Sequence, residues 1–350
     1  MSLSSEIEAL AVAEGFEQVG IAELSTPLTI GIYEQWLKRG FQGEMSYLER
    51  HLEEKREPQR LLKRARSAIV VTKNYVPHPE PVENFPLSSS TRVASYARGR
   101  DYHHFLKARL ERVIAALKAR YPDEEFVCFT DSSPVLERDL AKRAGLGWFG
   151  KNTCLLSREH GSLFFIAEIY TTLAKPEVAR LEVHDHCGTC TRCLDACPTG
   201  ALKAPRELDA RLCISYLTIE SRDVPAEPLR TQIGPWLFGC DICQTVCPWN
   251  LRLVKKGERP AAQPSLNDRE ELVRDLRFLL ASSNRSLEKA FRGTAMSRAG
   301  GFGLKRNALI VAANSVAIEL KPEIEALSLD PKLGDLARWA LTKISSEQKL

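Results

Sequence analysis

Ten cysteines are the most chemically capable residues of this 350-residue chain, and eight of them are spaced to hold iron. Cys187-x-x-Cys190-x-x-Cys193-x-x-x-Cys197 ends in Pro198, and Cys240-x-x-Cys243-x-x-x-Cys247 ends in Pro248. The first run has the bacterial ferredoxin spacing for 4Fe–4S clusters, in which the fourth cysteine serves the other cluster of a pair. The second run lacks a leading cysteine because Leu237 stands there, and Cys213 completes the eight thiolates that two cubanes need. Crossed wiring assigns Cys187, Cys190, Cys193 and Cys247 to one cluster and Cys197, Cys213, Cys240 and Cys243 to the other. Structural zinc favours two-by-two pairs, often with histidine, and does not account for two Cys-Pro endings. Disulfides belong to secreted chains, and Met1-Ser-Leu-Ser-Ser-Glu has neither the basic nor the apolar region of a signal peptide. The chain is expected to move electrons in a reducing cytoplasm.

A second chemical block is Thr130-Asp-Ser-Ser-Pro-Val-Leu-Glu-Arg138, followed by Gly145-Leu-Gly-Trp-Phe-Gly-Lys-Asn-Thr153. Asp131 follows a short apolar run, where α/β sheets present ligand-contacting groups. Beside an apolar cofactor, burial would raise its pKa far enough to make it a proton donor. The competing reading is that Asp131 caps a helix opened by Pro134. Gly145, Gly147 and Gly150 lack the strand-before, helix-after setting of a dinucleotide fingerprint and suit a loop lying close to a bulky cofactor, with Lys151 and Asn152 at its rim. A plain turn would use similar residues. His184 and His186 read as surface loop, and Cys128 and Cys154 as packing thiols.

The elements that must position these groups fall into three stretches. Up to about residue 180, helices over Ile7–Ala13, Ile32–Phe41, Met45–Leu52 and Phe105–Leu117 alternate with strands over Ala68–Thr72, Val93–Ala97, Phe126–Thr130, Thr153–Leu156 and Leu163–Tyr170. A helix is expected from Pro134 to Ala144, capped by Ser132 or Ser133. This is an α+β pattern with a mixed sheet. A cysteine-bearing insert follows, with a helix over Cys213–Glu220, and then a Pro- and Gly-rich linker over Lys255–Pro264. Beyond the linker the pattern is helical only, over Leu272–Ala281, Leu304–Leu320 and Pro331–Ile344, and Leu333–Leu341 has the look of a HEAT-type helix. Apolar content of 44% and charged content of 27% are those of an ordinary globular protein, and no run is long enough to span a membrane. The net charge of +4 is mild, but Arg285, Lys289, Arg292, Arg298, Lys305 and Arg306 stand against Glu288 alone, and Lys55, Arg56, Arg60, Lys63, Arg64 and Arg66 form a second basic cluster. Both suit phosphate contacts, and both equally suit solvated helix faces.

Four blocks together, Asp131–Arg138, Gly145–Thr153, Cys213–Glu220 and Gly239-Cys-Asp-Ile-Cys-Gln-Thr-Val-Cys-Pro-Trp-Asn250, resemble the epoxyqueuosine reductases, a likeness running from about Ser4 through the helical tail. Members of that family reduce the epoxide of epoxyqueuosine, at the wobble position of tRNA, to the alkene of queuosine, the last step of that pathway. They use cobalamin and two 4Fe–4S clusters and are similar in core to reductive dehalogenases. The resemblance therefore implies an α+β fold in three parts. These are a mixed-sheet cobalamin-binding domain of the nitroreductase and dehalogenase kind over 1–180, a ferredoxin-like two-cluster domain over 181–255, and an all-α, HEAT-like, tRNA-binding domain over 265–350. It implies that Asp131 is the proton donor near cobalt and shares the cobalamin pocket with Arg56, Lys151, Asn152, Ser162 and Ser215. No Asp-x-His-x-x-Gly occurs, which agrees with cobalamin held base-off. The tRNA grip is carried over to Arg285, Lys289, Arg292, Arg298, Lys305 and Arg306. An external donor, a reductase or a ferredoxin or flavodoxin, would supply electrons to what is expected to be a cytoplasmic monomer without a membrane partner. The alternative is a cobalamin-dependent reductase of a small organic substrate, against which the basic tail and the lack of an export signal argue.

Overall fold

The run Ala68-Ile-Val-Val-Thr72 is apolar and β-branched without alternation, the pattern of a strand covered on both faces. In the computed structural model, which describes residues 2–176, 184–261 and 268–347, it lies within strand Ser67–Asn74 of a four-stranded sheet. The strand order is Gln18–Glu23, Ser67–Asn74, Phe164–Thr171, Phe126–Phe129, and every pairing is antiparallel. The expected mixed sheet is thus corrected. Ser67–Asn74 and Phe126–Phe129 do run the same way, but Phe164–Thr171 inserts between them and pairs antiparallel with both. The parallel pairing found among the described residues is a short one, Trp236–Phe238 against Arg92–Val93.

Alternation along the strands sorts side chains into two layers. Ile69, Val71, Phe165, Ala167 and Ile169 pack under helices Leu3–Ala13 and Tyr102–Arg120. Ala68, Val70, Phe164 and Tyr170 face the opposite way, toward Leu140 and Ala141 of helix Glu137–Arg143. The long helix buries Leu106, Leu110, Val113 and Leu117, one stripe at helical spacing, and the Asp101 carboxylate caps its start by accepting the His103 N–H at 3.1 Å.

Several expected boundaries shift. Strand Gln18–Glu23 has too weak an apolar pattern to stand out, and Arg92–Val93 is followed by a single turn at Ser95–Ala97 rather than by more strand. The helix expected at Pro134 begins at Glu137, with no serine cap, because the chain first makes a tight turn in which the Val135 N–H donates to the Ser133 carbonyl at 2.8 Å. Helix Gly300–Asn314 stops short of Leu320.

Much of the chain beyond Ile214 enters one shared core. Ile214, Leu217, Ile233, Trp236 and Phe238 pack in the same cluster as Leu276, Leu280, Leu309, Leu336 and Ile344 of the tail helices. Cys213 and Cys240 lie against that core, so the cysteine-bearing segment leans on the tail instead of owning a core. The expected boundary at 180/181, the start of the tail at 265 and the linker end at Ala262–Pro264 fall outside the described residues. Among the described residues no helix is long and apolar enough to cross a membrane.

Truncating Leu309, which is fully buried in this shared core, to alanine should lower the urea-unfolding free energy by about 2–5 kcal/mol. Because the cysteine segment shares the core, iron retained per chain should fall in the same variant when measured after mild denaturant.

Candidate active site and cluster-binding segment

The strand Phe126–Phe129 ends one residue before a chain reversal, and Asp131 takes a left-handed φ of 42° there. Aspartate tolerates that region better than most residues, yet the conformation persists only where surroundings enforce it. Three contacts do so. Tyr102 donates its hydroxyl to Asp131 Oδ2, His103 Nε2 lies 3.2 Å from the same oxygen, and the Asp131 N–H donates to Glu137 Oε1. Asp131 caps no helix. Its side chain is 55% exposed, so a ligand can reach it, and its charge is felt by the hydroxyls of Tyr47, Tyr96 and Tyr102.

The other histidine nitrogen, His103 Nδ1, lies 2.7 Å from Asp101 Oδ1. A carboxylate therefore faces each ring nitrogen, and only the doubly protonated imidazolium can donate to both. Burial alone would lower the His103 pKa, but the bonds to Asp101 and Asp131 override it and raise the value to about 9. Asp131 shows the mirror image: burial pushes its carboxyl up, while His103 and Tyr102 pull it below the ordinary carboxylate range. The expectation of a raised Asp131 pKa is corrected, since at neutral pH the proton of this pair sits on His103. Glu137 behaves in the opposite way, raised to about 8 by burial and by the neighbouring Asp131 charge.

The cysteines sort into two neighbourhoods. Cys193 feels the charges of Cys187 and Cys190, and Cys247 those of Cys187 and Cys193. In the other group Cys213 feels Cys197, Cys240 feels Cys213 and Cys197, and Cys243 feels Cys240 and Cys213. Burial raises Cys247 to about 11 and Cys240 further, so these thiols ionise when a cation as strong as an iron cluster arrives. Beside Cys247, Trp148 is almost fully buried with its indole N–H unpartnered, a donor suited to an acceptor sulfur. His186 packs edge-on to Trp148 at 4.9 Å, the role of a packing ring more than of surface loop. Leu237, at the place of the missing cysteine, is a fully buried core residue of strand Trp236–Phe238.

Sequence patterning missed the seam between the sheet domain and the cysteine segment. Lys151 Nζ donates to the carbonyls of Gly188 and Cys190 at 2.6 and 2.9 Å, and Asn152 Nδ2 to that of Cys243 at 3.2 Å. Ser162 exchanges hydrogen bonds with Gln244 and Asn250 at 2.9 Å each. These three expected cobalamin contacts are thus engaged in clamping the cluster loops to the sheet. Ser215 bonds the Cys213 thiol, and Arg56 pairs with Glu34 at the surface. Cys154, read as a packing thiol, lies against Cys243. Gly147 serves packing too, since a Cβ there would stand 2.2 Å from the Leu156 carbonyl.

Among the expected tRNA contacts, Arg285, Lys289 and Arg292 are exposed and Lys305 is half-buried. Arg298 grips Glu220 through two bonds of 2.9 and 2.8 Å, and its charge reaches Asp131. Arg306 is 1% exposed and donates to the carbonyls of Ser221, Asp223 and Leu217, so it is a structural residue and the expectation of a phosphate contact there is corrected. A cleft of about 620 Å³ lies between the long helix and the tail, lined by Arg100, His104, Arg109, Arg112 and Arg292 and sharing Asp101 with the His103 relay. Replacing Arg306 with alanine strands three buried carbonyls, each costing about 1–3 kcal/mol. Chemical denaturation should show a loss of at least about 3 kcal/mol, with no change in the salt dependence of RNA binding measured under folding conditions.

Comparison with known proteins agrees with this geometry. A family model described as "4Fe-4S double cluster binding domain" matches residues 186–250, and one described as "Epoxyqueuosine reductase QueG, DUF1730" matches residues 55–132. The chain is 36% identical over 313 residues to the epoxyqueuosine reductase of Leadbetterella byssophila, covering 88% of this chain and 98% of the relative. The solved structure of epoxyqueuosine reductase from Streptococcus thermophilus superposes with a TM-score of 0.82 at 27% identity, over 99% of this chain and 91% of that one. An epoxyqueuosine reductase solved with an epoxyqueuosine-modified tRNA-Tyr stem loop gives 0.80 at 31% identity, over 98% and 90%. With identity of this level over 88% of its length, the chain belongs to the epoxyqueuosine reductase family.

Proposed function

We propose that this protein reduces epoxyqueuosine to queuosine in the anticodon of tRNA, using two 4Fe–4S clusters and cobalamin. The observation that carries the reading is the hydrogen-bonded set Asp101–His103–Asp131, open to a ligand and adjoining a segment whose eight cysteines group four and four. Cys187, Cys190, Cys193 and Cys247 would hold one cluster and Cys197, Cys213, Cys240 and Cys243 the other. Cobalamin, when bound, supplies a low-valent cobalt able to pass electrons to the substrate.

The chain's own residues do the remaining work. The turned-out base is received beside Asp131, where Tyr47, Tyr96 and Tyr102 lie near its carboxylate, and its arrival displaces water from that oxygen. Asp131 faces the epoxide oxygen, and the proton it passes on is stored on His103, whose orientation Asp101 holds. Lys151, Asn152 and Ser162 keep the cluster loops in register with the sheet. The tail and the basic cleft contact phosphates through Arg285, Lys289 and Arg292, with Arg298 near Asp131.

Asp131→Asn keeps the left-handed turn and removes the acid. Queuosine formation, followed by mass spectrometry of epoxyqueuosine-bearing tRNA under anaerobic reduction, should fall by about 10²–10⁴-fold, with cluster and cobalamin absorption unchanged. Wild-type turnover in that variant would remove Asp131 from the role. Binding of tRNA should weaken steeply with salt, and Arg292→Ala should reduce the logarithmic salt slope by about one. A flat salt response in the wild-type protein would sink the proposed grip.

A further inference from the structure

Converting an epoxide to an alkene breaks both C–O bonds and releases the oxygen as water. The balance is one epoxide, two electrons and two protons giving one alkene and one water. The electrons come singly through the clusters from an external donor. The protons are consumed at one oxygen that the bound base brings beside Asp131, and the Asp101–His103–Asp131 set stores one of them.

A second acid lies on the other side of Asp131. Glu137 opens helix Glu137–Arg143 and reaches back so that Oε1 accepts the Asp131 backbone N–H. Beneath that helix, on the central strand Phe164–Thr171, lies Glu168, which is 0% exposed with neither carboxyl oxygen hydrogen-bonded. Glu168 pairs in register with Phe129, two residues before Asp131 on the neighbouring strand. A charged carboxylate is not tolerated in such a place without partners, so Glu168 is held as a neutral acid, and the half-buried Glu137 above it is raised by burial and by the Asp131 charge.

We infer that Glu137, backed by Glu168, holds the second proton of the reaction and returns it to the Asp131 carboxylate after the first has gone to the substrate oxygen. Glu137 acts through Asp131 and is a positioning and relay residue, not one that touches the substrate. Its surroundings agree. Burial and the Asp131 charge raise its pKa, the Asp131 N–H, Arg138 on its own helix and His103 on the long helix oppose them, and the value stands at about 8. Tyr170 and Cys128 also feel the Glu168 site, and Arg143 and Asp139 on the covering helix act on Tyr170. Glu137 is therefore protonated at neutral pH and loses its proton as pH rises past about 8.

The inference rests on the epoxide-reduction reading, and the test separates the two. Glu137→Gln preserves the acceptor for the Asp131 N–H and removes only the proton. Single-turnover rates on epoxyqueuosine-bearing tRNA, with clusters and cobalamin pre-reduced, should fall more than about tenfold at pH 7 in E137Q. The wild-type rate should decline as pH rises past about 8, a step that E137Q lacks while a later fall from His103 near 9 remains. Glu168→Gln exchanges one neutral group for another and should keep the step. In the infrared at pH 7, the protonated-carboxyl stretch should lose intensity in E137Q without any turnover. If the wild-type protein forms queuosine while E137Q matches its rate, or keeps the pH 8 step or the full carboxyl band, this inference fails and the function stands. If the wild-type protein forms none, the function itself fails.

Discussion

A carboxylate held in a left-handed turn between an imidazolium and a neutral acid is the interaction on which the site depends. Asp131 cannot relax to an ordinary turn without giving up Tyr102, His103 and Glu137 together. Those partners are fixed by two different layers. Tyr102 and His103 open the long helix that covers one face of the sheet, and Glu137 opens the helix that covers the other. Tyr102 also stacks on Phe165 at 4.5 Å, so its ring is locked by the central strand. The three-layer packing is what converts these local bonds into a rigid constellation.

The iron-binding half follows from a different constraint. A segment short of apolar residues cannot bury enough surface to fold by itself. Here it borrows stability from two sides: Ile214, Trp236 and Phe238 enter the tail's core, and Lys151, Asn152 and Ser162 clamp its loops to the sheet. The cysteine segment is thereby joined to both the sheet and the tail without a dedicated interface. Arg306 shows the same economy of position, since its guanidinium ties Leu217, Ser221 and Asp223 together inside the protein instead of facing phosphate.

Much of this was legible in the residues. Cysteine spacing alone pointed to a paired-cluster segment, in agreement with the double-cluster family model over residues 186–250, because the ferredoxin run of short intervals is a local property. The long helix and the buried strand Ser67–Asn74 were legible from periodicity. The parallel-or-antiparallel character of the sheet was not, because it depends on which strand inserts beside which, and Phe164–Thr171 comes from nearly a hundred residues further on. The pKa of Asp131 was misjudged for a related reason: burial is readable as apolar sequence, but the two bonds that reverse its effect come from residues 28 and 29 positions away.

Residue types and intervals along the chain were enough to settle that this protein handles electrons through paired clusters, since ligand identity and short spacing are local properties. Tertiary structure alone decided where protons reside and which basic residues face solvent. A proton's location depends on the sum of burial, hydrogen bonds and nearby charge, and all three are set by neighbours distant in sequence. That is why the pKa values of Asp131, Glu137 and Glu168, all acids on paper, are driven apart, the first lowered and the other two raised, once the layers close around them.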